Sequence, residues 1–360
     1  MNFSRLWTIA RLELLQRVRA VSWYVLLGIF ALLLLGVTLL AFLSFGGLER
    51  AGAGVYSTVV YITLLLVILV SPTLSGNSIN GDRDAATLAP VQVTLATTGE
   101  ILFGKFVAAW ITGLAFAVVA APFLLIATLA GNVEPATVVV SLAVLVVETG
   151  IIAGIGVALS GILGRPLFSV AATYLVVAAL AIGTVIGFGL VGTSITSEVV
   201  EKVRYSQQGN DGEPLCKEGV DTCRWDQPEN LLCGEWETYT SRIGRYDQVW
   251  WMLAANPFVI LADATPIQYD RSGYPADMFG YLKLSVRQVQ IAPELERVYD
   301  ECAPASDSSS PTPREVLDQT VPSWFVGLGV QILLAAGLLG WAYARTRTPA
   351  RALPPGTRIA

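Results

Sequence analysis

Residues 139–160 read VVSLAVLVVETGIIAGIGVALS, 22 positions with a single ionisable side chain, Glu148. A helix of about 20 residues covers roughly 30 Å at 1.5 Å per residue, the thickness of a bilayer's hydrocarbon core. Hydrocarbon offers no partner to an unpaired N–H or C=O, so such a stretch is stable there only as a helix. This block therefore predicts a transmembrane helix, over about 136–160.

Five further blocks have the same character, at about 21–43, 55–76, 101–130, 167–194 and 322–344. The whole chain agrees with them: 54% of its 360 residues are hydrophobic and only 14% charged, against about 25% charged in ordinary soluble domains. The first block is too long for a cleavable signal peptide, follows an amphipathic leader and ends in no small-x-small site. The expected fold is an all-α polytopic membrane protein with six transmembrane helices.

Basic residues in short loops orient such a bundle. Arg5, Arg11, Arg17 and Arg19 precede the first block, Arg83 lies between the second and third with Lys105 just inside the third, and Arg165 lies between the fourth and fifth. Arg345, Arg347, Arg351 and Arg358 follow the sixth, while Arg50 alone occupies the opposite short loops. Both termini are expected in the cytoplasm. Segment 195–321 then becomes a large extracytoplasmic insertion between helices 5 and 6, and 345–360 a cytoplasmic tail.

That insertion holds 21 of the 28 acidic residues and 11 of the 23 basic ones, a net of −10. An acidic exterior argues against nucleic acid as a partner. It also holds all four cysteines, Cys216, Cys223, Cys233 and Cys302. Outside the cytoplasm thiols oxidise, so two disulfides are expected, with three connectivities open. A metal site is disfavoured, because no CxxC occurs and the chain has no histidine.

In residues 1–20 an apolar stripe of Phe3, Leu6, Trp7, Ala10, Leu14 and Val18 predicts an amphipathic helix. Its Trp and Arg residues suit the interface with membrane lipid. Within the insertion, 249–262 (VWWMLAANPFVILA) is apolar but short and broken at Asn256-Pro257, which fits a membrane-touching or re-entrant helix. Residues 303–314 read as a linker.

The loop between helices 2 and 3, about 76–100, carries the most specific pattern. Asp82-Arg83-Asp84 is followed by Ala86-Thr87-Leu88-Ala89, and Phe103-Gly104-Lys105 enters the third helix. This resembles the corresponding loop of ABC-2-type ABC transporter permeases, where acid-Arg-acid precedes Gly-Thr-Leu-Glu and a Gly-Lys entry. Ala86 and Ala89 depart from the Gly and Glu of that pattern. The resemblance extends to the leader and the six-span layout, but not to 205–247 or 263–320. It implies the membrane-spanning subunit of an ATP-driven transporter, an exporter, paired with a second permease subunit as homo- or heterodimer. It further implies that Asp82, Arg83, Asp84, Thr87 and Leu88 couple the chain to a cytoplasmic ABC ATPase subunit. ATP and Mg would be held on that ATPase, with no cofactor or metal in this chain.

Gly99–Lys105 spells G-x-x-x-x-G-K, yet Phe106 stands where magnesium binding needs Ser or Thr, and no strand precedes it. The expectation is that this chain is no enzyme. Intramembrane proteolysis finds no His or acid pair in the spans. The competing class is a membrane-anchored sensor or envelope-assembly protein whose exterior segment binds a ligand.

Glu148 is the intramembrane polar candidate. At the bilayer centre a carboxylate costs about 2.5–3.5 kcal/mol on insertion scales, so it should face protein or water. It is either a cation, proton or substrate contact, or a hydrogen-bonded or protonated structural acid. Gly150/Gly154 and Gly183/Gly187 are spaced for close helix packing. Lysine is limited to Lys105, Lys202, Lys217 and Lys283 while arginine and alanine abound. That bias points to a GC-rich bacterium and hence to a bacterial plasma (inner) membrane.

Overall fold

The computed structural model describes residues 2–47, 51–84, 96–131, 133–209, 212–220, 223–225, 227–303 and 311–346. Thr87 and Leu88 lie outside the described residues, as do Arg347, Arg351 and Arg358. Among the described residues, six helices are long and apolar enough to span a membrane: Val21–Phe45, Ala51–Asp84, Thr98–Leu129, Pro135–Ile162, Pro166–Ser194 and Trp324–Thr346. The chain is a multi-pass membrane protein of predominantly helical structure.

In chain order, α1 is Phe3–Val18, α2 Val21–Phe45 and α3 Ala51–Ser75, which continues through a turn into the five-residue α4, Asn80–Asp84. Then come α5 (Thr98–Leu129), α6 (Pro135–Ile162) and α7 (Pro166–Ser194). Pro72 and Pro122 both sit inside their helices. Strands β1 (Thr196–Arg204) and β2 (Glu237–Gly244) follow, then α8 (Trp251–Ala254), α9 (Pro257–Ala264) and α10 (Met278–Gln288). The chain closes with β3 (Glu296–Asp300), α11 (Pro313–Asp318) and α12 (Trp324–Thr346).

Two compact units result. The first holds the chain up to Val185, Trp251–Leu284 and the residues from Pro322 onward. Its core is built where α2, α3, α5 and α6 meet: Trp23 and Phe30 set their edges on Phe116 at 5.4 and 5.0 Å between ring centroids. Edge-to-face pairs of this kind match a ring's positive rim to its neighbour's negative face. The glycine spacing of α6 is used inside the bundle. A Cβ on Gly150 would come within 3.0 Å of the Trp110 indole, and one on Gly154 within 3.4 Å of Phe106.

The segment after β2 that reads as too short to span forms α8 and α9 within this helical unit. Asn256 breaks it. Its side chain caps α9 by accepting from the Phe258 N–H at 2.9 Å, and Pro257 takes the first helical position, where no N–H is needed. Asn256 also donates to the Ala181 carbonyl (2.7 Å) and the Thr184 hydroxyl (3.0 Å). Ala181 lies within a π-helical turn, Ala179–Gly183, of α7, and Thr184 directly follows it. Such a turn loosens the regular backbone ladder, and a polar side chain then satisfies the released groups.

The second unit comprises Ile186–Trp250 and Ser285–Val321. It contains a three-stranded sheet ordered β2-β1-β3, with β1 antiparallel to β2 and parallel to β3. The expectation of an all-α chain holds for the membrane part, whereas the insertion adds this sheet. Val199, Val200 and Val203 favour β1. Charged residues interrupt their alternation (TSEVVEKVR), so the pattern does not show in sequence. The cysteines pair as Cys216–Cys223 and Cys233–Cys302, which selects one of the three connectivities. Arg204 on β1 grips Asp300 at the end of β3 with two nitrogens, at 2.9 and 2.5 Å, and lies 4.8 Å from the Trp236 ring centroid.

Candidate functional site

Asp82, Arg83 and Asp84 form most of α4, and the bundle holds this short helix from three sides. Its N-terminal end is capped by α6: the Ser160 hydroxyl accepts from the Ile79 and Asn80 N–H groups at 3.0 and 3.1 Å. The fully buried Asn80 side chain donates to Ser169 of α7 at 3.1 Å, and Ser169 in turn donates to the Gly76 carbonyl at 2.5 Å. The first N–H groups of a helix lack intrahelical partners, so these hydroxyls complete α4 where a free five-residue helix would not persist.

Arg83 points back into the bundle. It donates to the Gly161 carbonyl at 3.2 Å, to the Leu163 carbonyl at 3.5 Å and to Asn80 Oδ1 at 3.2 Å. A cation there meets the unsatisfied carbonyls and negative dipole end of α6.

Asp82 faces α5. Its carboxylate lies 2.7 Å from Lys105 Nζ, and the same ammonium binds Glu13 of α1. Lys105 is 2% exposed, so the charge is almost entirely desolvated and needs these anions. Gly104 precedes it for a physical reason: a Cβ there would stand 3.0 Å from Ile9 and from the Leu6 carbonyl, so a side chain would press α1 away from α5. Two further bonds seat α1. The Asn2 N–H donates to Glu100 Oε1 at 2.5 Å, and Arg17 donates to the Leu74 carbonyl at the end of α3 at 2.8 Å. Burial lowers the Arg17 pKa, an effect that neighbouring Glu13 partly offsets.

Of the three charged residues in α4, Asp82 and Arg83 are thus turned inward and Asp84 is exposed. The apolar stripe of the leader divides in the same way: Leu6 and Ala10 are buried, while Phe3, Trp7 and Val18 remain exposed. Gly99–Lys105 lies in the first two turns of α5, and Thr97 and Glu100 form a capping box there. No phosphate-cradling loop exists at that position. Nothing local in the sequence pairs Glu13 with Lys105, because 92 residues separate them; the signal present is an acid on a basic leader.

Two other features lie within the helical unit. Glu148 is fully buried in α6, beside Gln331 of α12. A hollow of about 440 Å³ opens by the π turn, lined by Gly183, Thr184, Trp251, Ala255, Val326 and Val330 among others, and is almost wholly apolar. No group of three or more metal-ligating side chains occurs among the described residues.

No protein-family model matches this chain, and no curated protein matches it either.

Proposed function

We propose that this chain is the membrane-spanning permease subunit of an ATP-driven transporter of the ABC-2 type, working as an exporter. The supporting observation is the anchoring of α4. A coupling helix must be stiff where it meets the bundle and exposed where it meets its motor, and α4 has both properties.

In this reading a cytoplasmic ATPase subunit, which holds ATP and Mg, docks on Asp84 and the adjoining segment that carries Thr87 and Leu88. Displacement of α4 passes through Asp82–Lys105 to α5 and α1, and through Arg83 to the end of α6. Charge-assisted bonds of fixed geometry transmit such a push better than a mobile loop. A second permease subunit completes the pathway in the bacterial plasma membrane, with both termini cytoplasmic. The apolar hollow at the π turn suits a hydrophobic or amphiphilic cargo.

The test is purification of the intact chain from its native membrane with identification of bound subunits, alongside cysteine labelling of position 84 from each side. A co-purifying ATPase that is lost with Asp84→Ala supports the reading. Labelling of position 84 only from outside the cell ends it. Absence of any ATPase favours the sensor or assembly role, in which the disulfide-bonded unit binds a ligand.

A further inference from the structure

Glu148 lies near the middle of α6 with none of its surface exposed. Neither carboxylate oxygen has a hydrogen-bond donor, and the buried Oε1 of Gln331 lacks one as well. The Gln331 amide gives one of its two N–H groups to the Ala255 carbonyl at 2.9 Å and keeps the second beside Glu148. A cavity of about 10 Å³ adjoins the two side chains, and Ile68, Ile152, Val177, Leu180 and Pro257 complete its wall. Three buried acceptors therefore share one apolar compartment in which, among the described residues, the second N–H of that amide is the one side-chain donor and no cation is present.

Unsatisfied acceptors in hydrocarbon-like surroundings are costly, and an unpaired carboxylate is the costliest of them. Among the described residues, no neighbouring element supplies a cation. The charged residues of α5, Glu100 and Lys105, lie about two turns or more from Gly113, which meets Thr149 beside Glu148. On α3 the nearest titratable group, Tyr61, is about two turns from Ile68. Asp263 of α9 is turned to the start of α12, and Arg345 is about four turns from Gln331. The cavity has room for about one water, which could bridge the acceptors but could not neutralise a charge.

We propose that the α6–α12 seam is a proton-binding site: Glu148 carries one proton in this conformation and donates it to Gln331 Oε1, directly or through one water. The missing donor is then the acid's own O–H. Separation of α6 from α12 admits water and releases the proton, so occupancy reports whether the seam is closed. The proposal holds whether or not an ATPase drives the chain.

Infrared difference spectroscopy of the full-length chain in lipid at neutral pH tests it. Subtracting E148Q from wild type should leave a protonated-carboxyl C=O stretch, which shifts down in deuterated water. In Q331L, which loses the acceptor, that band should move to higher wavenumber. Should E148Q not fold, the wild-type minus Q331L difference must still show a paired positive and negative carboxyl band. A carboxylate signature with no such band overturns the proposal. Conversion of the band to carboxylate by added sodium ions does so too, in favour of a metal-cation site.

Discussion

Lys105 Nζ lies 2.7 Å from the Asp82 carboxylate while also holding Glu13, so one buried ammonium joins α4, α5 and α1. Glu13 and Asp82 are 17% and 32% exposed and can rehydrate if the cation is lost, whereas Lys105 itself cannot. Lys105→Met should therefore destabilise the chain by about 1.5–3 kcal/mol, the range for hydrogen bonds to charged groups. Lys105→Arg keeps the charge and should lose less. Thermal unfolding in detergent measures both.

The three charges of α4 should separate by readout. Asp84 is exposed, so Asp84→Ala should leave stability within about 0.5 kcal/mol and weaken ATPase co-purification. Arg83→Ala removes the bonds to the end of α6, so it should lower the unfolding temperature and leave ATPase binding in place while transport falls. Equal behaviour of the two variants in both assays would contradict this division.

Asp263 caps α12 from α9. Its Oδ2 accepts from the Ser323 N–H at 2.6 Å, the Ser323 hydroxyl at 2.9 Å and the Trp324 N–H at 3.0 Å. An anion at a helix N-terminus both satisfies free N–H groups and complements the dipole. Asp263→Ala should cost about 2 kcal/mol, the upper end for a lost cap. Asp263→Asn should recover part of that in the same unfolding assay.

Asp277 provides a pH signature. It is 3% exposed and accepts from the Gly280 N–H at 2.8 Å. Burial pushes its pKa up from 3.8 to about 6, against the pull of that hydrogen bond. The folded state thus binds the proton more tightly than the unfolded one. Stability should fall as pH rises from about 4 to 6, by up to about 3 kcal/mol, and stay low above that. Asp277→Asn should flatten this stretch of the profile and be the more stable protein at pH 7.

The disulfides should differ in weight. Cys233–Cys302 closes 69 residues and Cys216–Cys223 only 7. Loop-closure entropy assigns about 4 kcal/mol to the first and about 2.5 to the second. Limited proteolysis of Cys302→Ser and Cys223→Ser should therefore find the second unit cut much faster in the former. Peptide mapping without reductant checks the pairing itself.

The spans were legible because hydrocarbon imposes a local demand: every block of about 20 apolar residues must satisfy its own backbone as a helix, whatever else the chain does. For the same reason Glu148 stood out at once, one acid in an apolar run. The number of spans, the break at Asn256-Pro257 and the cysteine-bearing segment followed from residue order alone. Three things did not. The sheet joins strands about 40 and 100 residues apart in sequence, and its alternation is interrupted. The cysteine connectivity and the Glu13–Lys105–Asp82 triad likewise depend on which distant residues meet. Composition and period describe what a segment needs from its surroundings. Which partner supplies it, Lys105 for Asp82 or Ser323 for Asp263, is set by packing between helices, and only the folded arrangement carries that information.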